Sequence, residues 1–93
     1  NLEQNYPNPF NPDTKIVYSL PGATRIEIAV YDIRGRVLNT LLDGVQPAGS
    51  HEIRWNGMDQ SGNKVSTGIY FYKMRVSGGH REYTATRKMV LMK

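Results

Sequence analysis

Few residues of this 93-residue chain could do chemistry beyond packing. There are 2 histidines, His51 and His80. Neither has a second histidine or a cysteine two or four positions away, the spacing that sets two metal ligands on one face of an element. His51 opens a run beside Ala48-Gly49, and His80 lies in a Gly-Gly turn, so both read as structural or solvent-facing. The serines Ser19, Ser50, Ser61, Ser66 and Ser77 sit in no nucleophile motif, and no glycine-rich phosphate loop precedes a helix. Asp59 with Asn56, Gln60 and Asn63 offers oxygen ligands of the kind calcium takes. One carboxylate at a spacing unlike an EF-hand makes a poor site, and Asn56-Gly57 and Ser61-Gly62 read better as turns with positive φ. The run Gly-Ile-Tyr-Phe-Tyr (68–72) could stack on sugar, but alternation sends its aromatics to both faces of a strand, so at least one set enters a core. Interleaved basic and aromatic residues lack the convergent groove that single-stranded nucleic acid needs. The expectation is a chain without catalysis, cofactor or metal.

The elements that must position these residues are strands. Apolar residues alternate with polar ones in five runs, among them Ile16-Tyr18-Leu20, Ile26-Ile28-Val30 and Tyr70-Tyr72-Met74-Val76. This is the period of half-buried β-strands. The spacing predicts strands over 14–20, 25–32, 36–42, 50–55, 64–66, 69–77 and 81–91. Only 36–42 could pass for a helical turn, with Val37, Leu38, Leu41 and Leu42 at helical spacing, but it is short and uncapped. Pro21-Gly22 suits the centre of a type II turn. Ile33-Arg34-Gly35 suits a hairpin loop with Gly35 left-handed. Arg87 interrupts the apolar parity of the last run, which points to a bend or bulge near it. Seven short strands with turns at this spacing predict an all-β, seven-stranded antiparallel immunoglobulin-like β-sandwich without a disulfide, with Trp55 as a core anchor.

Residues 1–13 stand apart from residues 14–93. Pro7, Pro9 and Pro12 supply no N–H, so this lead-in is expected to run extended and turn-like without adding to a ladder. Asn8 and Asn11 can bond back to nearby backbone. Tyr6 and Phe10 are expected to be buried, pinning the lead-in to one end of the domain.

Composition bounds the class. The chain is one domain in length and has no cysteine, which suits passage through oxidising spaces without wrong disulfides. Formal net charge is +4, and the excess is local: Arg81, Arg87, Lys88 and Lys93 face only Glu82 at the end of the chain. Arg87, Lys88 and Lys93 bracket the apolar Met89–Met92 as gatekeepers against edge aggregation. No apolar run reaches the ~20 residues that span a bilayer.

Six blocks carry a family resemblance in order: L-E-Q-N-Y-P-N-P-F-N-P-D-T-K-I (2–16), V-Y-D-I-R-G-R-V (30–37), A-G-S-H (48–51), W-N-G-M-D-Q-S-G-N-K-V (55–65), S-T-G-I-Y-F-Y-K-M (66–74) and T-R-K-M-V-L-M-K (86–93). The chain resembles the type A C-terminal sorting domain of the type IX (Por) secretion system. It departs from the family's pattern at Asn56, Thr67, Ile69 and Met92. The resemblance implies a non-catalytic immunoglobulin-like domain that delivers an N-terminal passenger through periplasm and outer membrane to the cell surface or medium. Its implied partners are the type IX translocon and a sortase-type peptidase, which would cut upstream of the prolines, and the export signal would lie on the passenger. It puts translocon recognition on Gly68, Tyr70, Arg87, Lys88 and Lys93. The middle blocks also resemble the immunoglobulin-like domain of flagellar hook-capping proteins, the alternative being a structural assembly role. A carbohydrate- or surface-binding accessory module of a secreted enzyme is a further alternative.

Overall fold

The computed structural model of the protein describes residues 1–77 and 82–92. They hold six strands: β1 (Thr14–Leu20), β2 (Thr24–Tyr31), β3 (Val37–Gln46), β4 (Gly49–Trp55), β5 (Gly68–Ser77) and β6 (Tyr83–Leu91). β1 pairs with β4 in one sheet, and β3-β2-β5-β6 form the other. All the pairings are antiparallel, and no helix occurs among the described residues.

Alternation in sequence becomes alternation in burial. Ile16, Tyr18 and Leu20 of β1, Ile26, Ile28 and Val30 of β2, Tyr70, Tyr72 and Met74 of β5, and Met89 and Leu91 of β6 are buried in a single cluster with Trp55 of β4. The two sheets thus share one core. Burying each of these larger side chains stabilises by roughly 1.5–3 kcal/mol. The exposed ion pairs, such as Arg25–Asp43 at 2.9 Å and Lys15–Glu52 at 3.7 Å, contribute roughly 0–1 kcal/mol each. With no cysteine in the chain, packing holds the sheets together.

Four expectations are corrected. Residues 64–66 form no strand: Lys64 makes a lone bridge to Met58, and Val65 N donates to Gly57 O at 3.0 Å within a loop. There are accordingly six described strands rather than seven. Gly22 is not among the glycines with positive φ, so Pro21-Gly22 does not centre a type II turn. The reason is topological, since β1 and β2 lie in different sheets and their link is a crossover, not a hairpin. The β5–β6 register runs unbroken from Gly68↔Leu91 to Val76↔Tyr83, so Arg87 makes no bulge. β3 runs to Gln46, four residues beyond its expected end at 42.

Bulges occur in β3 instead, where the register with β2 skips Leu38 and Leu41. These extra residues explain the helix-like spacing of Val37, Leu38, Leu41 and Leu42. Leu38, Leu41 and Leu42 all reach the core's margin although strict alternation would separate them. The β2–β3 hairpin closes with Gly35 at φ 84°, Gly35 N donating to Asp32 O at 3.0 Å.

Candidate functional site

The functional residues expected from sequence fall on two segments, the lead-in and the β5–β6 pair, and the structure joins these segments. Leu2 bridges Tyr18 and Tyr6 bridges Lys15, both antiparallel to β1, while Phe10 bridges Leu91 in parallel with β6. Glu3 N donates to Val17 O at 2.9 Å, and Tyr6 and Lys15 exchange two hydrogen bonds at 2.8 Å. Farther on, Phe10 N donates to Val90 O at 3.0 Å, and Met92 N donates to Phe10 O at 2.9 Å. The lead-in therefore runs along the edge of both sheets. It does hydrogen-bond to strand edges, contrary to expectation, because its donors are Glu3, Tyr6 and Phe10, with Pro7 and Pro9 between the last two and Pro12 beyond them.

Side chains complete the seam. Phe10 is 1% exposed, its ring centroid 5.6 Å from that of Trp55 at an interplanar angle of 56°. Trp55 meets Tyr70 edge-on at 5.7 Å, and its indole Nε1 donates to Met58 O at 2.8 Å. The Tyr70 hydroxyl donates to Ser66 O. Tyr6 is not a pin: it is 73% exposed, and Leu2, at 2%, packs in the core instead. Alternation decides it, because Asn5 takes the inward position next to Tyr6. The buried Asn5 Nδ2 donates to Thr14 Oγ1 at 3.0 Å and to Pro7 O at 3.1 Å, while Thr14 Oγ1 donates to Pro7 O at 2.9 Å. Gln4 Nε2 bridges this knot to β6, donating to Asn5 Oδ1 and to Lys88 O, both at 2.7 Å.

Of the five residues expected to meet the translocon, the four described ones do not share a surface. Gly68 pairs with Leu91 at the start of β5. Tyr70 is 7% exposed and committed to the core. Arg87 stands opposite Tyr72, and its guanidinium Nε donates to Leu2 O at 3.0 Å. Lys88 points to the other face, opposite Phe71, and Lys93 lies outside the described residues. Strand parity separates Tyr70 and Arg87 from Lys88. The same parity could have shown that Ile69 and Phe71 are the outward residues of Gly-Ile-Tyr-Phe-Tyr once Tyr70 and Tyr72 are placed inside.

Tyr72 ties β5 to the lead-in, its hydroxyl donating to Glu3 O at 2.6 Å. Burial pushes its phenol pKa up to about 12, against smaller opposing effects of the Asn5 backbone and the Arg87 charge. His51 Nε2 lies 2.8 Å from Pro47 O, which it meets as donor, and the ring stacks on Tyr18 at 5.2 Å. His80 lies outside the described residues. Asp59 Oδ1 accepts from Ser61 N at 3.0 Å and Asn63 N at 2.9 Å, so this carboxylate organises its own loop. Gly57 and Gly62 in that loop have φ of 77° and 87°. Among the described residues no three His, Asp or Glu side chains converge to hold a metal.

Comparison with known proteins follows the fold. No curated protein matches the chain in sequence. Among solved structures, dimeric latent PorU from Porphyromonas gingivalis superposes with a TM-score of 0.76 at 21% identity, covering 95% of this chain and 9% of that one. FlgD from P. aeruginosa gives 0.68 at 28% identity, covering 86% of this chain and 67% of that one. PorZ of P. gingivalis, described as an essential surface component of the type IX secretion system, gives 0.62 at 21% identity, covering 97% and 11%. The chain thus spans about a tenth of PorU and PorZ. The model of the FlgD Ig-like domain matches residues 12–80, most of the chain, and the protein belongs to the FlgD Ig-like domain family.

Proposed function

We propose that this immunoglobulin-like sandwich is a non-catalytic sorting domain, carried by a secreted passenger and read by the type IX secretion translocon. One observation carries the reading. The two segments outside the FlgD family match are 1–11 and 81–93, and their described residues are built into a seam by Phe10, Gln4 and Arg87. They include most of the first block of the sorting-domain resemblance, the proline-rich opening, and all of the last, the basic strand over 86–93. PorU and PorZ also superpose on 95% and 97% of the chain, against 86% for the P. aeruginosa FlgD. The domain acts by being recognised in folded form. Its partners are the translocon, its sortase-type peptidase and the passenger, and its destination is the cell surface or medium. Fusing residues 1–93 to a periplasmic reporter in a type IX-competent host tests this: the reporter should leave the cell, and periplasmic retention beside an exporting control domain overturns the reading.

The family match over 12–80 favours a second reading, a structural domain like that of hook-capping FlgD. Self-association, or docking to a filament subunit by the purified chain, would select it.

A further inference from the structure

The alternation that buries Tyr70, Tyr72 and Met74 turns Ile69, Phe71 and Lys73 to the outer face of the four-stranded sheet. Register sets them in rows. Val37, Tyr31, Phe71 and Lys88 lie side by side across β3, β2, β5 and β6, with Ala29, Lys73 and Thr86 in the next row. Lys73 Nζ stands 4.7 Å from the centroid of the Tyr31 ring. A shallow groove of ≈ 230 Å³ runs between Tyr31, Phe71, Lys73, Thr86 and the Ile33–Gly35 turn. Branched aliphatic side chains rim it: Ile33, Val37 and Ile69 are 72%, 56% and 45% exposed.

The unpaired charge beside this groove is mainly positive. Lys73 and Lys88 make no ion pair among the described residues. Two of the nearby acids, Asp32 and Asp43, are already engaged. Asp32 accepts from Arg36 Nε at 3.1 Å and from the backbone amides of Arg34 and Arg36. Asp43 pairs with Arg25 at 2.9 Å, while Glu27, opposite Arg75 and two positions along from the Lys73 row, makes no ion pair among the described residues. Two available ammonium groups therefore flank half-buried aromatic and exposed aliphatic surface, a combination that marks an interaction site.

We propose that this outer face binds a partner-protein segment that carries carboxylates beside apolar side chains. The carboxylates meet Lys73 and Lys88, and an apolar side chain enters the groove between Tyr31 and Phe71. A polypeptide fits better than a glycan because Ile33, Val37 and Ile69 offer aliphatic contacts, whereas sugar recognition would use the flat aromatic faces. This inference goes beyond the delivery reading and does not depend on it.

The test is titration of the isotope-labelled 93-residue chain with a synthetic peptide of alternating Glu and Leu, followed by NMR. The expected amide shifts centre on Tyr31, Ile69–Lys73 and Thr86–Val90, and binding weakens with added salt. Lys73→Glu combined with Lys88→Glu should weaken binding about tenfold or more without lowering the melting temperature. Lys15→Glu combined with Arg54→Glu, on the other sheet, should leave it unchanged. Equal binding by the Lys73→Glu/Lys88→Glu variant, or shifts centred elsewhere, overturns the proposal. So does binding of dextran sulfate at these residues in the absence of peptide binding, which would assign the face to an anionic glycan.

Discussion

Phe10 packs on Trp55 with almost no exposure, so its removal leaves a cavity that backbone fixed on both sides cannot easily close. Phe10→Ala should cost about 3–5 kcal/mol, a large share of the ~5–15 kcal/mol by which domains are stable; urea unfolding reads it. Tyr6→Ala, at an exposed site, should change stability by less than about 0.5 kcal/mol. Tyr72 makes a pH prediction. Its folded pKa is raised from 10.0 to about 12, so above pH 10 the unfolded chain loses this proton while the folded protein keeps it. The contribution of this group is therefore constant below about pH 10 and falls between pH 10 and 12. Tyr72→Phe should flatten that alkaline loss, at the expense of about 1 kcal/mol from the unmade bond to Glu3 O; thermal melts from pH 8 to 12 show both effects. At this scale the sequence could name Tyr6 and Phe10 as candidate pins but not choose between them. The choice lies with Asn5, whose hydrogen bond to Thr14 spans nine positions and leaves no local pattern.

At the scale of elements, the lead-in behaves as a closing strand. Removing residues 1–11 strips Leu2 and Phe10 from the core and uncovers the edges of β1 and β6. The shortened chain should lose cooperative unfolding and bind a hydrophobic dye; a sharp urea transition at the full-length midpoint would refute the seam. Gly57 makes a narrower prediction. Its φ is 77°, and an added Cβ would lie 3.3 Å from Pro12 O, so Gly57→Ala should destabilise by roughly 1–2 kcal/mol. The strand runs were legible because period-two alternation is a direct image of half-burial. The β3 bulges were not, since the register shift depends on how β2 pairs, and adjacent leucines look alike in a helix turn and in a bulge. The seventh strand failed for a different reason: Lys64-Val65-Ser66 has strand-like residues, but its partners lie within its own loop, Met58 by a bridge and Gly57 by a hydrogen bond.

At the scale of the whole molecule, the family match and the seam divide the chain in a telling way. Residues 12–80 supply an FlgD-type immunoglobulin-like framework, and the segments flanking it are bound to each other across the sheet edges. Truncation is a poor probe of recognition, because deleting 87–93 removes Met89 and Leu91 from the core and would abolish folding before it reported on binding. The sequence pointed to a basic terminal strand as the recognition element. The fold distributes that strand's charges, Arg87 to Leu2 O of the lead-in and Lys88 to the other face beside Phe71, so surface and seam are separate devices. Export of the Lys73→Glu/Lys88→Glu variant asks whether the outer face serves delivery, while the fusion itself asks whether delivery occurs. The most direct measurement is the fraction of a reporter–(1–93) fusion found outside the cell, in a type IX-competent strain and in its translocon-null sibling. Sorting by this domain predicts extracellular reporter in the first and periplasmic reporter in the second; equal distribution in the two strains would contradict it.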